Sequence, residues 1–172
     1  MSNEFENPYA APETSSEHVS LDEAGELAGR GTRLVAAILD TVLLLIILVP
    51  AMFMTGYMDR AMRQEVGWPE MLLQSALGIG LYLLMHGYTL ATRGQSLGKV
   101  LLGIQIVDEN TRQILSFGRL VGLRLLPIWV IALVPIIGNL FGLIDSLMIF
   151  SSRRQCIHDR IAGTLVIIKP RA

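Results

Sequence analysis

RLVAAILDTVLLLIILVP, residues 33–50, decides how this chain folds. At about 1.5 Å per residue it covers most of the ~30 Å hydrocarbon core of a bilayer. It is apolar on every face, as the helices of water-soluble domains seldom are. Yet it holds a formal charge, Asp40, well inside. A carboxylate at the centre of a span costs about 2.5–3.5 kcal/mol on insertion scales. Another part of the chain must offset that cost.

Composition agrees with a membrane setting. Of 172 residues, 52% are hydrophobic and only 17% charged, against about 25% charged in ordinary soluble domains. The lipid bilayer is therefore the first expected partner. A net charge of −1 offers no basic footprint, so nucleic acid is not expected as a partner. Cys156 is the single cysteine, which excludes an internal disulfide. Residues 1–28 carry Glu4, Glu6, Glu13, Glu17, Asp22, Glu23 and Glu26 without one Lys or Arg. They are expected to be a disordered acidic tail rather than a cleaved signal peptide, with a short surface helix over Leu21–Gly29. Residues 29–172 are expected to form one transmembrane domain.

Outward from residues 33–50, the first span is predicted over Thr32–Met54. A polar loop (56–68) and a second span, Met71–Thr92, follow; that span contains His86 and the small residues Gly78 and Gly80, which permit close helix approach. Leu101–Val107 and Gln113–Phe117 read as strands joined by a turn at Asp108–Thr111. A lone hairpin is marginal in water, so Thr164–Lys169 is predicted to pair with it. Lys and Arg concentrate in 93–124 and 151–172, which places both segments in the cytoplasm by the positive-inside rule. The stretch between them must then cross an even number of times. It is predicted as a helical hairpin, 117–134 and 139–151, turning at Pro135–Asn139. The expected fold is mainly α and integral to the membrane: four transmembrane helices, the third and fourth forming a short hairpin, plus a small cytoplasmic β element. Both termini are expected to be cytoplasmic. Three spans, with a long kinked third helix, is the alternative.

Arg33 and Asp40 are separated by seven residues, about 700° of rotation and ~10 Å of rise, so they share a face without touching. Arg33 can snorkel to the interface; Asp40 cannot. With cytoplasmic boundaries near 33, 93, 117 and 152, Asp40, His86, Arg124 and Asp145 all lie ~10 Å deep. Arg124 is expected to neutralise one aspartate, leaving the other near His86. Such a set either fixes helix packing or marks a path for a proton or cation.

The ordered motifs resemble those of the RDD family, small membrane proteins named for one arginine and two aspartates. They are Arg33-Leu-Val-Ala36 with Asp40, then Thr92-Arg-Gly-Gln-Ser-Leu-Gly-Lys99 with Leu102-Gly103 and Val107. Arg119 or Arg124, Asp145 and His158-Asp-Arg-Ile-Ala-Gly-Thr164 complete the set. The resemblance covers about residues 29–169. It implies that Arg33 and Asp40 are the family arginine and first aspartate, and Asp159 the second, with Asp145 the other candidate. It also implies transport, including cation/proton exchange for some members.

Gly94-Gln-Ser-Leu-Gly98-Lys99 has the wrong spacing for a phosphate loop, and Val100 stands where Mg²⁺ would need a hydroxyl. Its glycines are expected to let a turn lie against the helices. Cys156, His158 and Asp159 offer metal donors, but no second cluster in the sequence completes a site. Asp159 is therefore expected to cap a helix or pair with an arginine. No Ser-His-Asp arrangement points to an enzyme, and no cofactor is expected. The expected function is transport of a cation, proton or small solute in a bacterial inner membrane. Arg33, Asp40, His86, Arg124, Asp145 and Asp159 form the charge network, in a homo-oligomer because four spans enclose little space. The alternative is a non-transporting scaffold.

Overall fold

The structure is a computed structural model that describes residues 25–134, 137–151 and 155–169. The expected disorder of residues 1–24 and the turn at Pro135–Ile136 lie outside the described residues. Among the described residues, two helices are long and apolar enough to cross a membrane, α1 (Arg30–Met54) and α3 (Trp68–Arg93). Between them the expected polar loop holds one short helix, α2 (Tyr57–Met62).

Burial on α1 is the inverse of a soluble helix. Its buried side chains are Arg33, Ala36 and Asp40, while Ile38, Val42, Ile46 and Phe53 face outward. On α3, His86 and Leu90 are buried, whereas Leu84 is 82% and Tyr88 76% exposed. An apolar sheath around a polar interior is what a lipid solvent selects.

After α3 the chain turns through α4 (Leu97–Leu101) into β1 (Ile104–Asp108). Gly98 sits so close to α1 that a Cβ there would overlap the Ala36 carbonyl; the expected packing of this glycine turn is present. β1 pairs antiparallel with β2 (Thr164–Ile168), with Ile106 opposite Val166. The predicted partnership of the C-terminal strand therefore forms.

The predicted hairpin does not. Gln113–Phe117 is not a strand, because Asp108 Oδ1 accepts the N–H groups of Asn110 and Thr111 and winds the chain back on itself. Arg112 then takes a left-handed conformation (φ 58°), which ends any extended run. Leu101–Leu102 also falls outside β1, which begins at Ile104. The other edge of β2 is covered by residues 26–28: Ala28 N–H bonds Val166 O and Ile168 N–H bonds Glu26 O, both within 2.9 Å. Residues 26–28, the end of the tail expected to be disordered, thus run along the sheet, and the described part of the expected surface helix is absent.

Next come α5 (Phe117–Arg119), a π-helical stretch (Leu120–Leu125) and α6 (Leu126–Ala132). Pro127 lacks the N–H that an α-helix would give to residue 123, and its ring crowds that carbonyl. Widening the preceding turn to π relieves the conflict. α7 (Ile137–Leu147) packs back on α6, where a Cβ on Gly138 would overlap the Ala132 backbone at 2.6 Å. The helical hairpin is present, with arms 117–132 and 137–150 shorter than α1 and α3. The chain closes with a 3₁₀ turn (Met148–Phe150), α8 (Ile157–Ala162) and β2.

Ala28, Ala36, Leu90, Ile104, Ile106, Leu115, Leu120 and Val166 form the main core. It lies where one end of α1 and α3 meets the sheet. Farther along, a Cβ on Gly78 would meet only Leu48, at 3.9 Å, and one on Gly80 would meet nothing within 4 Å. The close helix approach expected there does not occur. A cavity of about 230 Å³, lined by Leu44, Ser75, Tyr82 and Trp129 among others, separates the helices instead.

Candidate functional site

Asp40 is offset by the turn that enters α4. Gly98 N–H donates to its Oδ1 at 2.7 Å and Ser96 Oγ–H to its Oδ2 at 2.5 Å. Lys99 Nζ stands 4.0 Å from Oδ2 and donates to Ser96 Oγ at 3.2 Å. The Leu97 N–H donates to His86 Nδ1 at 3.1 Å. The first-turn donors of α4 are thus satisfied by side chains from α1 and α3. Because His86 Nδ1 accepts, its proton sits on Nε2, which has no hydrogen-bond partner among the described residues. His86 Nδ1 and Asp40 Oδ1, 3.8 Å apart, are neighbours bridged by two backbone N–H groups rather than an ion pair.

A second centre forms around Asp159, which is fully buried. Its carboxylate pairs with Arg33 from α1 and Arg124 from the π stretch. It also accepts the Cys156 N–H at 3.0 Å, capping α8. Burial alone would raise its pKa, but Arg124, His158 and Arg33 outweigh that and hold it well below the usual carboxylate range. Arg124 Nη1 also donates to Thr164 Oγ1 at 2.6 Å, tying the pair to β2.

Asp145 belongs to neither centre. Its Oδ1 accepts the His158 N–H at 3.1 Å, and its Oδ2 lies 2.6 Å from His158 Nδ1. Cys156 brings its Sγ within 4.8 Å of donor atoms on both residues. Burial pushes the Cys156 thiol up to about 12, and burial also lowers the His158 pKa.

Two cavities connect these groups. One, about 220 Å³, is bordered by Asp40, Ser96, Lys99, Arg124 and His158. The other, about 100 Å³, is bordered by Arg33, Lys99, Arg124, Asp145, Cys156 and His158. Lys99, Arg124 and His158 line both. Burial first, then the charge of Arg124, lowers the Lys99 pKa to about 8.

All six residues of the expected network are buried, though not paired as expected. Asp40 does lie beside His86. Arg124 does not neutralise Asp40 or Asp145; it joins Arg33 on Asp159, because the π stretch directs it toward α8. Arg33 does not snorkel, being 6% exposed and held by Asp159. Arg119, the other motif arginine, pairs at the surface with Asp108 at 3.3 Å. Asp159 both caps α8 and pairs with arginines, as expected. Ser96, Lys99, His158 and Thr164 complete the centres. Each stood inside a quoted motif, but sequence spacing did not show which way it faced.

The family model of the RDD family matches residues 27–163. Two curated relatives, both "Proline-rich antigen homolog" of Mycobacterium tuberculosis (strains CDC 1551 / Oshkosh and ATCC 25618 / H37Rv), are 33% identical over 104 residues. The match takes in 60% of this chain and 39% of each relative, so the chain covers about two fifths of their length. No solved structure matches significantly.

Proposed function

The chain belongs to the RDD family, and on that premise we propose that it moves a cation or proton across a membrane, with Asp40 as the group that carries the charge. The observation behind this reading is the cavity of about 220 Å³ that Asp40 shares with Lys99. A carboxylate kept only for packing needs no such space beside it.

The chemistry follows from the chain of donors. Lys99 Nζ–H points to Ser96 Oγ, and Ser96 Oγ–H to Asp40. With Lys99 charged, its ammonium offsets Asp40. When Lys99 loses its proton to the cavity, Asp40 is left with one fewer positive neighbour, and a cation entering the cavity takes its place. One proton leaves as one cation binds, which is the balance an exchanger requires. Arg33, Tyr82, His86, Arg124, Asp145, Cys156, His158 and Asp159 are the other ionisable groups around Lys99. We place the charge network in a bacterial inner membrane, with four crossings, cytoplasmic termini and a homo-oligomer around the path.

The test is proton movement in proteoliposomes holding a pH-sensitive dye, while Na⁺, K⁺ or Li⁺ is pulsed outside. Wild type should move protons in response to at least one cation, and Asp40→Asn should not. No flux with any cation, in protein shown to be folded, overturns the reading. A scaffold role would then stand, and one observation favours it: Asp40, Asp145 and Asp159 each already have at least two polar contacts.

A further inference from the structure

Beside the proposed path, which His158 also borders, lies the junction of α7 and α8. Asp145 lies in the last turn of α7, Cys156 caps α8, and His158 lies in its first turn. The fold brings together three donors that lie 13 residues apart at the extremes. We propose that Asp145, Cys156 and His158 bind a divalent transition-metal ion, zinc being the best match, and so tie α7 to α8.

Donor chemistry supports this first. Carboxylate, thiolate and imidazole together are a zinc-type set; hard alkali and alkaline-earth cations prefer oxygen alone. Distance supports it second. The three donor atoms lie within 4.8 Å of one another, and donors on one tetrahedral zinc stand about 3.3–3.7 Å apart given bonds of 2.0–2.3 Å. The Asp145 Oδ2–His158 Nδ1 hydrogen bond, 2.6 Å long, must open by about 0.7 Å and Cys156 Sγ must draw closer for all three to reach one ion.

The surroundings of the donors are a third, independent point. His158 Nε2 lies 3.4 Å from Asp159 Oδ1, on the far side of the ring from Asp145. At 3.4 Å this is not a hydrogen bond, but with Nδ1 on the metal the Nε2–H would face Asp159, and a carboxylate in that place is the usual outer partner of a metal-bound histidine. Asp145 is aimed by the His158 backbone N–H on its other oxygen. Arg33 Nη2, 3.9 Å from Cys156 Sγ, offsets part of the burial and of the Asp159 charge that oppose the thiolate in the empty site.

Three positive side chains nearby oppose a cation, but both guanidiniums are held on Asp159 and the Lys99 ammonium donates to Ser96 beside Asp40. A thiolate and the Asp145 carboxylate add two negative charges at the site itself. Binding converts the Cys156 thiol to a metal-bound thiolate and releases one proton to the adjoining cavity of about 100 Å³. That cavity leaves room for a water as fourth ligand.

Cobalt(II) titration of the detergent-purified full chain tests the site, because a thiolate ligand gives cobalt a charge-transfer absorption. One Co²⁺ per chain with that band, displaced by Zn²⁺ and not by Mg²⁺, is expected. Cys156→Ser should abolish the band. The variant should still fold, since serine is a favoured residue at a helix N-terminus. Asp145→Asn should weaken affinity at least about tenfold, the loss seen on disturbing even an outer partner of a ligand. Folded wild type without a thiolate band overturns the proposal, as does unchanged affinity in Asp145→Asn. Neither result bears on proton flux, so this test stands apart from that of the exchanger.

Discussion

The weight of single residues is clearest at Asp159. One buried carboxylate holds two buried guanidiniums, from α1 and from the π stretch. Removing it strands both charges, and breaking a buried pair typically costs about 3–5 kcal/mol. Asp159→Asn should therefore lower the melting temperature in detergent far more than Arg33→Met, which leaves Arg124 in place. Equal effects of the two would contradict the shared carboxylate. Lys99 allows a pH prediction. Its pKa of about 8 lies below the ordinary lysine value, so the unfolded chain binds more protons than the folded one between the two values. Stability should then rise with pH through that window. Lysine side-chain NMR can follow the titration directly, because Lys169 is the only other lysine. A Lys99 midpoint at the ordinary value would contradict its burial. At this scale the identity of the buried polar residues was legible, since charge inside an apolar run can only be costly or compensated. Their pairing was not. Arg124 reaches Asp159 rather than Asp145 because of a π turn, and the one sequence signal for that turn was Pro127.

Elements were legible where apolar length sets them. The spans, the helical hairpin and the C-terminal strand follow from long or continuous apolar runs bounded by glycine and proline. The missing strand at 113–117 failed for a local reason: Asp108 binds the backbone two and three residues on, and short polar side chains compete with a ladder in this way. The sheet found its third segment in residues 26–28, which the acidic composition of the preceding tail disguised. α4 is the element on which the Asp40 centre depends. It can approach α1 only because Gly98 has no Cβ to meet the Ala36 carbonyl. Gly98→Val should push α4 away, depriving Asp40 of the Gly98 N–H and Ser96 Oγ–H together. Overpacking alone costs about 1–3 kcal/mol. The loss of two donors to a buried carboxylate adds to it. Gly98→Val should therefore destabilise more than Ser96→Ala, measured by thermal unfolding in detergent. A smaller effect would mean that α4 can move without Asp40 losing its partners.

For the whole molecule, the paired strands constrain how the chain threads the bilayer. β1 and β2 are hydrogen-bonded to each other, so Asp108 and Thr164 lie on one side. The hairpin between them must enter and leave through the same face. At about 1.5 Å per residue its arms, 117–132 and 137–150, reach roughly 24 and 21 Å, short of a ~30 Å core. Either the bilayer thins to meet them, at a modest cost per ångström, or the hairpin turns inside the membrane against the other helices. Single cysteines in a Cys156→Ser background separate the two. Glu65→Cys, in the loop between α1 and α3, should react with a membrane-impermeant maleimide from the outer face of intact cells. Glu109→Cys, beyond β1, should react only after permeabilisation. Ile137→Cys, at the tip of the hairpin, then decides the crossing. Reaction from the outer face, like Glu65→Cys, gives four crossings. Protection under both conditions gives two crossings and a re-entrant hairpin, whose arms would bring Arg124 and Asp145 to the charge network from the cytoplasmic side alone. We expect the outer-face reaction, because Leu126, Val130, Ile137, Leu140, Leu143 and Leu147 are all exposed on the arms. Apolar side chains around both arms call for lipid, which a hairpin turning back inside a protein cavity would not provide.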